Sequence, residues 1–233
     1  MKKLVVLSGA GISAESGIKT FRDSDGLWEG HDITEVATPE GFARNPQLVL
    51  DFYNLRRKQL QEVQPNTAHH ILKKLEENFD VVIITQNVDD LHERSGSSKV
   101  IHLHGELLKA KSSENESYEV EWSSDITLQH TCPDNHQMRP AIVWFGEAVP
   151  KIENAIAELK NADYVLVIGT SLQVYPAAGL IDYAPDHATK FYIDKNPSKE
   201  AAYFKNLSVI AKSASEGLRI LYPILLSEKD DTN

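Results

Sequence analysis

The feature that most constrains the fold is an apolar run at residues 4–7, which leads into a glycine-rich segment at residues 9–18. A short run of leucine and valine favours a buried β-strand. Gly9 and Gly11 let the backbone turn sharply and approach a bound group, and N–H groups at the start of a following helix attract anions. A strand, a glycine turn and a helix in this order are typical of phosphate-binding sites in parallel sheets. The pattern also occurs in turns that bind nothing, so it needs support from the rest of the chain.

Short apolar runs of the same kind recur along the chain, mostly with helical patterns between them. We predict six strands, at residues 4–7, 81–84, 100–103, 164–168, 191–193 and 207–210. Helices are predicted to begin at Pro46, Pro65, Pro150 and Pro176 and after residues 213–215, since proline suits the first helical turn. Strands that alternate with helices indicate an α/β fold with a Rossmann-like parallel sheet.

Two stretches interrupt this alternation: residues 23–64 and the polar residues 110–139. We interpret both as insertions that form one smaller lobe. A chain of 233 residues fits one sizeable domain. The predicted organisation is therefore one domain, with a sheet part at residues 1–22, 65–109 and 140–233.

The composition excludes several classes of partner. The chain has 24 Lys and Arg against 34 Asp and Glu, a formal net charge of −10. We expect no nucleic-acid or membrane binding, because phosphate recognition needs clustered positive charge.

The N-terminal apolar run is shorter than a signal-peptide core, and no stretch approaches the roughly 20 apolar residues of a membrane-spanning helix. Cys132 is the only cysteine, which suits a reducing compartment. We expect a cytoplasmic protein, and we expect it to be a monomer.

The chain also holds five further motifs in a fixed order, at residues 20–22, 85–92, 102–106, 143–147 and 169–171. They read Thr-Phe-Arg, Thr-Gln-Asn-Val-Asp-Asp-Leu-His, His-Leu-His-Gly-Glu, Val-Trp-Phe-Gly-Glu and Gly-Thr-Ser. In this order and at these spacings they resemble the motifs of the sirtuins, the NAD-dependent protein lysine deacylases. The resemblance covers residues 4–225. It implies that NAD is consumed as a co-substrate, and that NAD and an acyl-lysine protein meet in a cleft between lobe and sheet.

A histidine is the candidate general base. His104 follows an apolar strand and precedes Gly105, which places it at the strand end, where open α/β sheets bind their ligands. A histidine titrates near neutral pH and can accept a proton from a ribose hydroxyl. His102 is the alternative, but only His104 matches the catalytic histidine of the sirtuin pattern.

The resemblance also implies which residues bind NAD. Gln86 and Asn87 would contact the nicotinamide ribose, and Asp89 would accept the N–H groups of the nicotinamide amide. Asp194 stands where many relatives carry asparagine, and its carboxylate can still accept both ribose hydroxyls. The implied NAD contacts are Gly9, Ala10, Gly11, Ser13, Ala14, Phe21, Arg22, Gln86, Asn87, Asp89, Gly169, Thr170, Ser171, Asp194, Lys195, Asn196 and Ala214.

Two further groups of residues are candidates for binding the acyl-lysine substrate. Tyr53 and Arg56 are three apart on a predicted helix, so they share a face, and together they offer donors to a carboxylate. This pair resembles that of the class III-like sirtuins, which remove succinyl and malonyl groups, and Ala37 matches the small residue that leaves room for a longer acyl chain. The alternative is an amphipathic surface helix with a packed Tyr53 and a solvated Arg56. The resemblance implies an extended edge that pairs with the substrate backbone, formed by Val143, Trp144, Phe145 and Gly146.

The chain departs from the sirtuin pattern at the metal. Sirtuins usually hold a structural zinc with two C-x-x-C pairs. Here Ser112 and acidic residues stand where the first pair is expected, and His130, Cys132 and His136 lack a fourth ligand on the opposite arm. We expect no zinc. The lobe is expected to be held instead by side chains that pack against the sheet domain, namely Tyr118, Val120, Trp122 and Ile126.

Two other functions would use the same motifs. Mono-ADP-ribosyl transfer would combine the same ribose electrophile with a different nucleophile, and a non-catalytic module would only bind NAD or ADP-ribose. The set of His104, Asn87 and Asp89 disfavours a mere binder. A Rossmann dehydrogenase is also disfavoured, because no acidic residue follows a second strand at the expected distance.

The purified protein should contain no stoichiometric zinc, because Cys132 lacks partner cysteines. A chelator should leave the melting temperature unchanged, and Cys132→Ser should be close to neutral. Elemental analysis that finds about one zinc per chain would contradict this expectation.

Overall fold

The computed structural model describes residues 1–19, 27–28, 30–115, 117–198 and 204–230. In chain order its strands are β1 (Lys3–Ser8), β2 (Leu27–Trp28), β3 (His31–Asp32), β4 (Asp80–Thr85), β5 (Val100–His102), β6 (Gly105–Ser112), β7 (Glu119–Glu121), β8 (Met138–Ile142), β9 (Tyr164–Ile168), β10 (Thr189–Ile193) and β11 (Leu207–Ile210). Its helices are α1 (Ala10–Ser13), α2 (Ile33–Val36), α3 (Pro39–Arg44), α4 (Pro46–Glu62), α5 (Thr67–Leu75), α6 (Leu91–Arg94), α7 (Ile152–Leu159) and α8 (Ala214–Asp230). Short 3₁₀ helices span Ala14–Ser16 and Ala177–Tyr183. Among these described helices, none has the length and apolar character needed to cross a bilayer.

Six strands form one parallel sheet, which confirms the predicted α/β fold. The strand order is β11-β10-β9-β1-β4-β5, and each neighbouring pair runs parallel. Because the strands are parallel, their carboxyl ends meet at one edge of the sheet. Ser8 at the end of β1 lies in register with Thr85 of β4 and Ile168 of β9. The loops that follow these strands therefore start side by side.

Helices bury both faces of this sheet. On one face α5 packs its predicted apolar side, including Ala68 and Leu72, against Leu218 of α8 and the sheet. On the other face, Leu159 of α7 and Leu180 of the 3₁₀ segment belong to a second apolar cluster. Burial on both sides explains why the central strands read as short apolar runs without alternation.

The small lobe has an apolar core of its own, built on the antiparallel sheet β7-β6-β8 and on α4. Its buried members are Leu50, Ala110, Ile126, Cys132 and Met138, with Phe42, Tyr118, Val120 and Trp122 packed against them. The expectation that residues such as Tyr118 and Trp122 pack against the sheet domain is wrong, because Leu50 of α4 gives them an apolar partner within the lobe.

β6 and β8 join the lobe to the parallel sheet through a close backbone contact. Gly105 starts β6 with φ +81°, and a Cβ on it would lie 1.9 Å from the Ala141 carbonyl oxygen. Directly before it, the His104 carbonyl accepts the Val143 N–H at 2.9 Å. The glycine therefore permits the pairing that holds His104 beside the strand end of β8.

Gly105→Ala should lower the free energy of unfolding by about 3 kcal/mol or more, because a strained φ is combined with a backbone clash. The matched control is Gly96→Ala. Gly96 has φ +94° but would place its Cβ no closer than 3.6 Å to the Lys73 side chain, so its loss should be about 1 kcal/mol. Denaturant melts of both variants measure the difference, and equal losses would contradict the clash.

Candidate active site

A cavity of about 680 Å³ lies between the carboxyl ends of the parallel strands and the small lobe. The loops after β1, β4, β9 and β10 form one wall, and α4 with the loop after β8 contributes the other. Every predicted site residue in the described part of the chain lines this cavity. Phe21 and Arg22 lie outside the described residues. The fold thus brings together residues that are far apart in sequence.

Two glycine turns touch at the floor of the cavity. The Gly11 N–H donates to the Gly169 carbonyl at 2.8 Å, and the Gly9 N–H donates to the Ile168 carbonyl at 3.1 Å. A Cβ on Gly11 would lie 2.7 Å from Gly169 Cα, and Gly9 has an ordinary extended backbone, φ −133°. These glycines are therefore required for the close approach of two loops. Their own N–H groups are used within the fold.

A buried hydrogen-bond chain joins the glycine turn to the 85–92 motif. The Ser13 hydroxyl donates to Asp89 Oδ2 at 2.9 Å, and the Asn87 amide donates to Ser13 Oγ at 3.1 Å. The Leu91 N–H donates to the other Asp89 oxygen at 3.2 Å. Burial raises the pKa of the Asp89 carboxyl, while the bonds from Ser13 and Leu91 oppose that rise. A carboxylate held in this way is a strong acceptor for the N–H groups of a carboxamide.

His104 is held in one tautomer. Its Nδ1 lies 3.1 Å from the Gln86 carbonyl oxygen, which can only accept, so Nδ1 carries the hydrogen and Nε2 has a lone pair. Burial lowers the pKa of the His104 imidazole below its ordinary value of 6.5, partly offset by the bond to Gln86. The ring is therefore neutral at pH 7 and can act as a base.

His102 has a different environment from His104. Its Nε2 lies 2.7 Å from Glu93 Oε1, and its Nδ1 lies 3.0 Å from the Asn87 carbonyl oxygen. It does not line the cavity, whereas His104 does. The geometry therefore favours His104 as the base.

The far end of the cavity is built by the loops after β9 and β10. The Gln86 amide donates to Thr170 Oγ1 at 3.0 Å, which connects the middle of the site to this end. The Asn196 N–H donates to Asp194 Oδ1 at 2.8 Å, so the buried carboxylate is fixed in place. Polar side chains at this end suit the hydroxyls of a ribose.

The α4 wall carries the predicted acyl-end residues. Tyr53 and Arg56 are 0% and 9% exposed and both line the cavity, so the alternative of a solvated Arg56 is wrong. Burial raises the pKa of the Tyr53 phenol, so it stays protonated at neutral pH. Ala37 is buried and lines the same cavity. The shared face predicted from the helical spacing is present.

The loop after β8 is not an extended edge over its whole length. β8 ends at Ile142, and residues 145 and 146 form a turn in which Gly146 has φ +91°. The Phe145 N–H donates to the Ala37 carbonyl at 3.0 Å, which folds the loop back onto the lobe. The prediction of an extended segment is therefore wrong for this part of the loop.

Several residues of the cavity wall were not predicted from the sequence. Gln59 follows Arg56 by one helical turn, and the same spacing rule would have included it. The other main additions are Lys19, Tyr175, Pro176, Lys212 and Ser213. Lys212 and Ser213 follow strand β11, so the rule that ligands bind beyond strand carboxyl ends would have found them.

Two of the candidate zinc ligands have hydrogen-bond partners within the small lobe. Cys132 is buried, and its thiol lies 3.5 Å from Ser112 Oγ. His130 Nδ1 accepts the Thr127 N–H at 2.9 Å. Over the described ranges, no group of three or more His, Cys, Asp or Glu side chains is arranged to hold a metal.

Comparison with known proteins agrees with the fold. The model of the Sir2 family matches residues 9–176, and the chain therefore belongs to the Sir2 family. An NAD-dependent protein deacylase of Helicobacter pylori is 56% identical over 226 residues, which are 97% of this chain and 98% of the relative.

Solved structures give the same result. A Sir2 homologue in complex with NAD superposes with a TM-score of 0.86 at 36% identity, over 98% of this chain and 91% of the homologue. A Sir2 mutant with a deacetylated p53 peptide and 3′-O-acetyl ADP-ribose has a TM-score of 0.79 at 30% identity, over 95% of this chain and 93% of that one.

Proposed function

We propose that this chain catalyses the NAD-dependent removal of acyl groups from protein lysines and prefers acyl groups that end in a carboxylate, such as succinyl and malonyl. The class, NAD-dependent protein deacylase, follows from membership of the Sir2 family and from the relative of that name. NAD is the co-substrate. The observation that carries the proposal is the shared cavity, which brings His104, Asp89, Tyr53 and Arg56 together.

Asp89 and His104 have separate roles in the proposed reaction. NAD supplies an electrophilic ribose carbon that the acyl-lysine carbonyl oxygen attacks as nicotinamide leaves. One water is then consumed, and the products are nicotinamide, free lysine and an acyl-ADP-ribose. Asp89, fixed by Ser13, holds the carboxamide of the departing nicotinamide. His104 Nε2 accepts the proton of a ribose hydroxyl, since Gln86 holds Nδ1 and the ring is neutral. General-base catalysis of this kind contributes about 10²–10⁴ to the rate.

The acyl preference rests on the α4 wall. A buried Arg56 beside Tyr53 offers charged and neutral donors at one end of the cavity. Arginine binds a carboxylate with parallel N–H groups, and burial strengthens such bonds. An acetyl group ends in a methyl, which gives these donors no acceptor.

We also propose that the protein acts in the cytoplasm as a monomer, without zinc, with residues 23–64 and 110–139 as the small lobe. The net charge of −10 and the lone Cys132 support this setting. The deacylase relative disfavours mono-ADP-ribosyl transfer and non-catalytic binding, and the products of the following assay distinguish all three.

His104→Ala should lower deacylation by a factor of about 100 or more and leave NAD affinity largely intact, because His104 transfers a proton. The assay incubates NAD with acetyl- and succinyl-lysine peptides and reads free lysine and acyl-ADP-ribose by mass spectrometry. A variant that keeps more than about a tenth of wild-type kcat would contradict the general-base role. ADP-ribosylated peptide as the product would instead indicate transferase activity, and no turnover by the wild type would indicate a binder.

The same assay should show the titration of His104. A base with a lowered pKa stays neutral to lower pH, so the acid-side midpoint of the fall in kcat/KM should lie below pH 6.5. A midpoint above pH 6.5 would mean that another group controls the reaction.

Arg56→Met should lower the ratio of succinyl to acetyl kcat/KM by about ten- to a hundredfold, because hydrogen bonds to a charged group are worth about 1.5–3 kcal/mol. The matched control is Arg57→Met. Arg57 is buried on the same helix but donates to the Leu107 carbonyl at 3.0 Å and to Asn54 Oδ1 at 2.9 Å, and it does not line the cavity. Its variant should lose stability without a change in the ratio. Equal losses on both substrates for Arg56→Met would mean that Arg56 only supports the lobe.

A further inference from the structure

The second histidine of the 102–106 motif lies behind the cavity wall. His102 ends β5 in register with Thr85, the last residue of β4, and its side chain is buried. The proposed reaction does not use it. Burying a polar ring is costly unless it is hydrogen-bonded, so the partners of this ring indicate what it does.

The two partners of His102 stand on either side of Asp89. Nδ1 lies 3.0 Å from the Asn87 carbonyl oxygen, and Nε2 lies 2.7 Å from Glu93 Oε1. Asn87 precedes Asp89 in the chain, whereas Glu93 belongs to α6, which follows it. One ring therefore bridges both ends of the turn that carries Asp89.

This bridge requires a charged ring. A carbonyl oxygen and an ionised carboxylate can only accept, and a neutral imidazole has a single N–H, so only an imidazolium satisfies both partners. Burial alone would lower the pKa of His102, but its bonds to Glu93 and Asn87 raise it above the ordinary value of 6.5. Burial alone would raise the pKa of Glu93, but the bond from His102 lowers it.

The titratable groups around the ring favour its positive charge. Glu93 of α6 and Glu106 of β6 both attract it. Burial raises the pKa of the Asp89 carboxyl, and the charge of His102 is among the influences that oppose this rise. His92 of α6 is the other titratable neighbour, and burial lowers its pKa so far that it stays neutral. The imidazolium therefore also helps to keep Asp89 ionised.

Asn87 passes its position on to the cavity. Its side-chain amide donates to the Gly9 carbonyl at 3.2 Å and to Ser13 Oγ at 3.1 Å, and the Ser13 hydroxyl donates to Asp89. A shift of the Asn87 backbone would therefore displace this buried chain of hydrogen bonds.

We propose that His102 is a positioning residue for the nicotinamide end of NAD: as an imidazolium it ties the Asn87 carbonyl to Glu93 and holds the turn that carries Asp89. The inference rests on the proposed role of Asp89 in binding the nicotinamide carboxamide. It gives the two histidines of the motif opposite charges, since His104 is the neutral base.

The first test compares binding of NAD with binding of ADP-ribose, which lacks nicotinamide, by calorimetry. His102→Phe keeps a buried ring but removes both N–H groups, and the Glu93 side chain, 40% exposed, can then be solvated. The variant should bind NAD about tenfold more weakly, because the turn loses a buried hydrogen bond, and should bind ADP-ribose as the wild type does. The inhibition constant of nicotinamide in the deacylase assay should rise by the same factor.

The second test follows the ratio of NAD to ADP-ribose affinity with pH. In the wild type the bridge is complete while His102 is protonated, so the ratio should fall as pH rises, with a midpoint above 6.5. Glu93→Gln removes this requirement, because a glutamine amide can donate to the bare Nε2 of a neutral ring while Nδ1–H still bonds to Asn87. This variant should keep the ratio at pH 7 and lose the alkaline fall, which a merely space-filling His102 would not produce.

The matched control is His69→Gln. His69 is buried on α5, where its Nδ1 accepts the Asn66 N–H at 3.2 Å, and it does not line the cavity. Denaturant melts should show a loss of stability, while the affinity ratio and its pH midpoint stay as in the wild type.

The outcomes separate the inference from the proposed function. An unchanged ratio in His102→Phe, or an alkaline fall that persists in Glu93→Gln, overturns the positioning role alone. Should His102→Phe fail to fold, the pH series of the wild type and Glu93→Gln decides the matter. Asp89→Ala tests the assignment beneath it: a ratio unchanged by this variant would show that Asp89 does not hold nicotinamide, and the positioning role would be overturned with it.

Discussion

The direct backbone contact between two glycine turns is the constraint on which the site depends. Gly11 and Gly169 approach so closely that a Cβ on Gly169 would lie 2.3 Å from the Ile12 nitrogen. The contact follows from the register of β1 beside β9, in which Ser8 pairs with Ile168. It fixes the start of α1, and this in turn places the Ser13 hydroxyl on Asp89. A larger residue at either turn would separate the two loops and displace the polar groups beyond them.

Two walls rise from this floor, and they hold residues with different proposed roles. The sheet wall holds the groups assigned to NAD and to proton transfer, and most of them are fixed by hydrogen bonds to neighbouring backbone, as His104 is by Gln86. The lobe wall holds Tyr53 and Arg56, which are assigned to the acyl end. The β6–β8 pairing joins the walls, since Gly105 at the start of β6 pairs with Ile142 at the end of β8. The residues proposed for acyl selectivity therefore lie on a different wall from the residues proposed for proton transfer.

Much of the fold was predictable because its signals are local. The six strands were found as apolar runs, since a parallel strand covered on both faces has no polar side. The start of α5 was found from Pro65 and Asn66, and the Asn66 side chain indeed caps the helix by accepting the Ala68 N–H. Site residues such as Gln86 and His104 were expected together because parallel strands deliver their following loops to one edge. The resemblance to sirtuins supplied their roles and the rest of the set.

Where sequence reasoning failed, the deciding contact came from a distant part of the chain. The sequence determined the parallel sheet, the glycine turn and the Y-x-x-R face of α4, since periodicity and residue type are properties of each segment alone. Only the tertiary structure decided that Phe145 turns back onto Ala37, that Tyr118 and Trp122 pack within the lobe, and that His104 rather than His102 faces the cavity. It also decided the contact of Trp144 with Tyr53, residues 91 positions apart. Such contacts depend on how separate elements pack, and no local pattern of side chains encodes that.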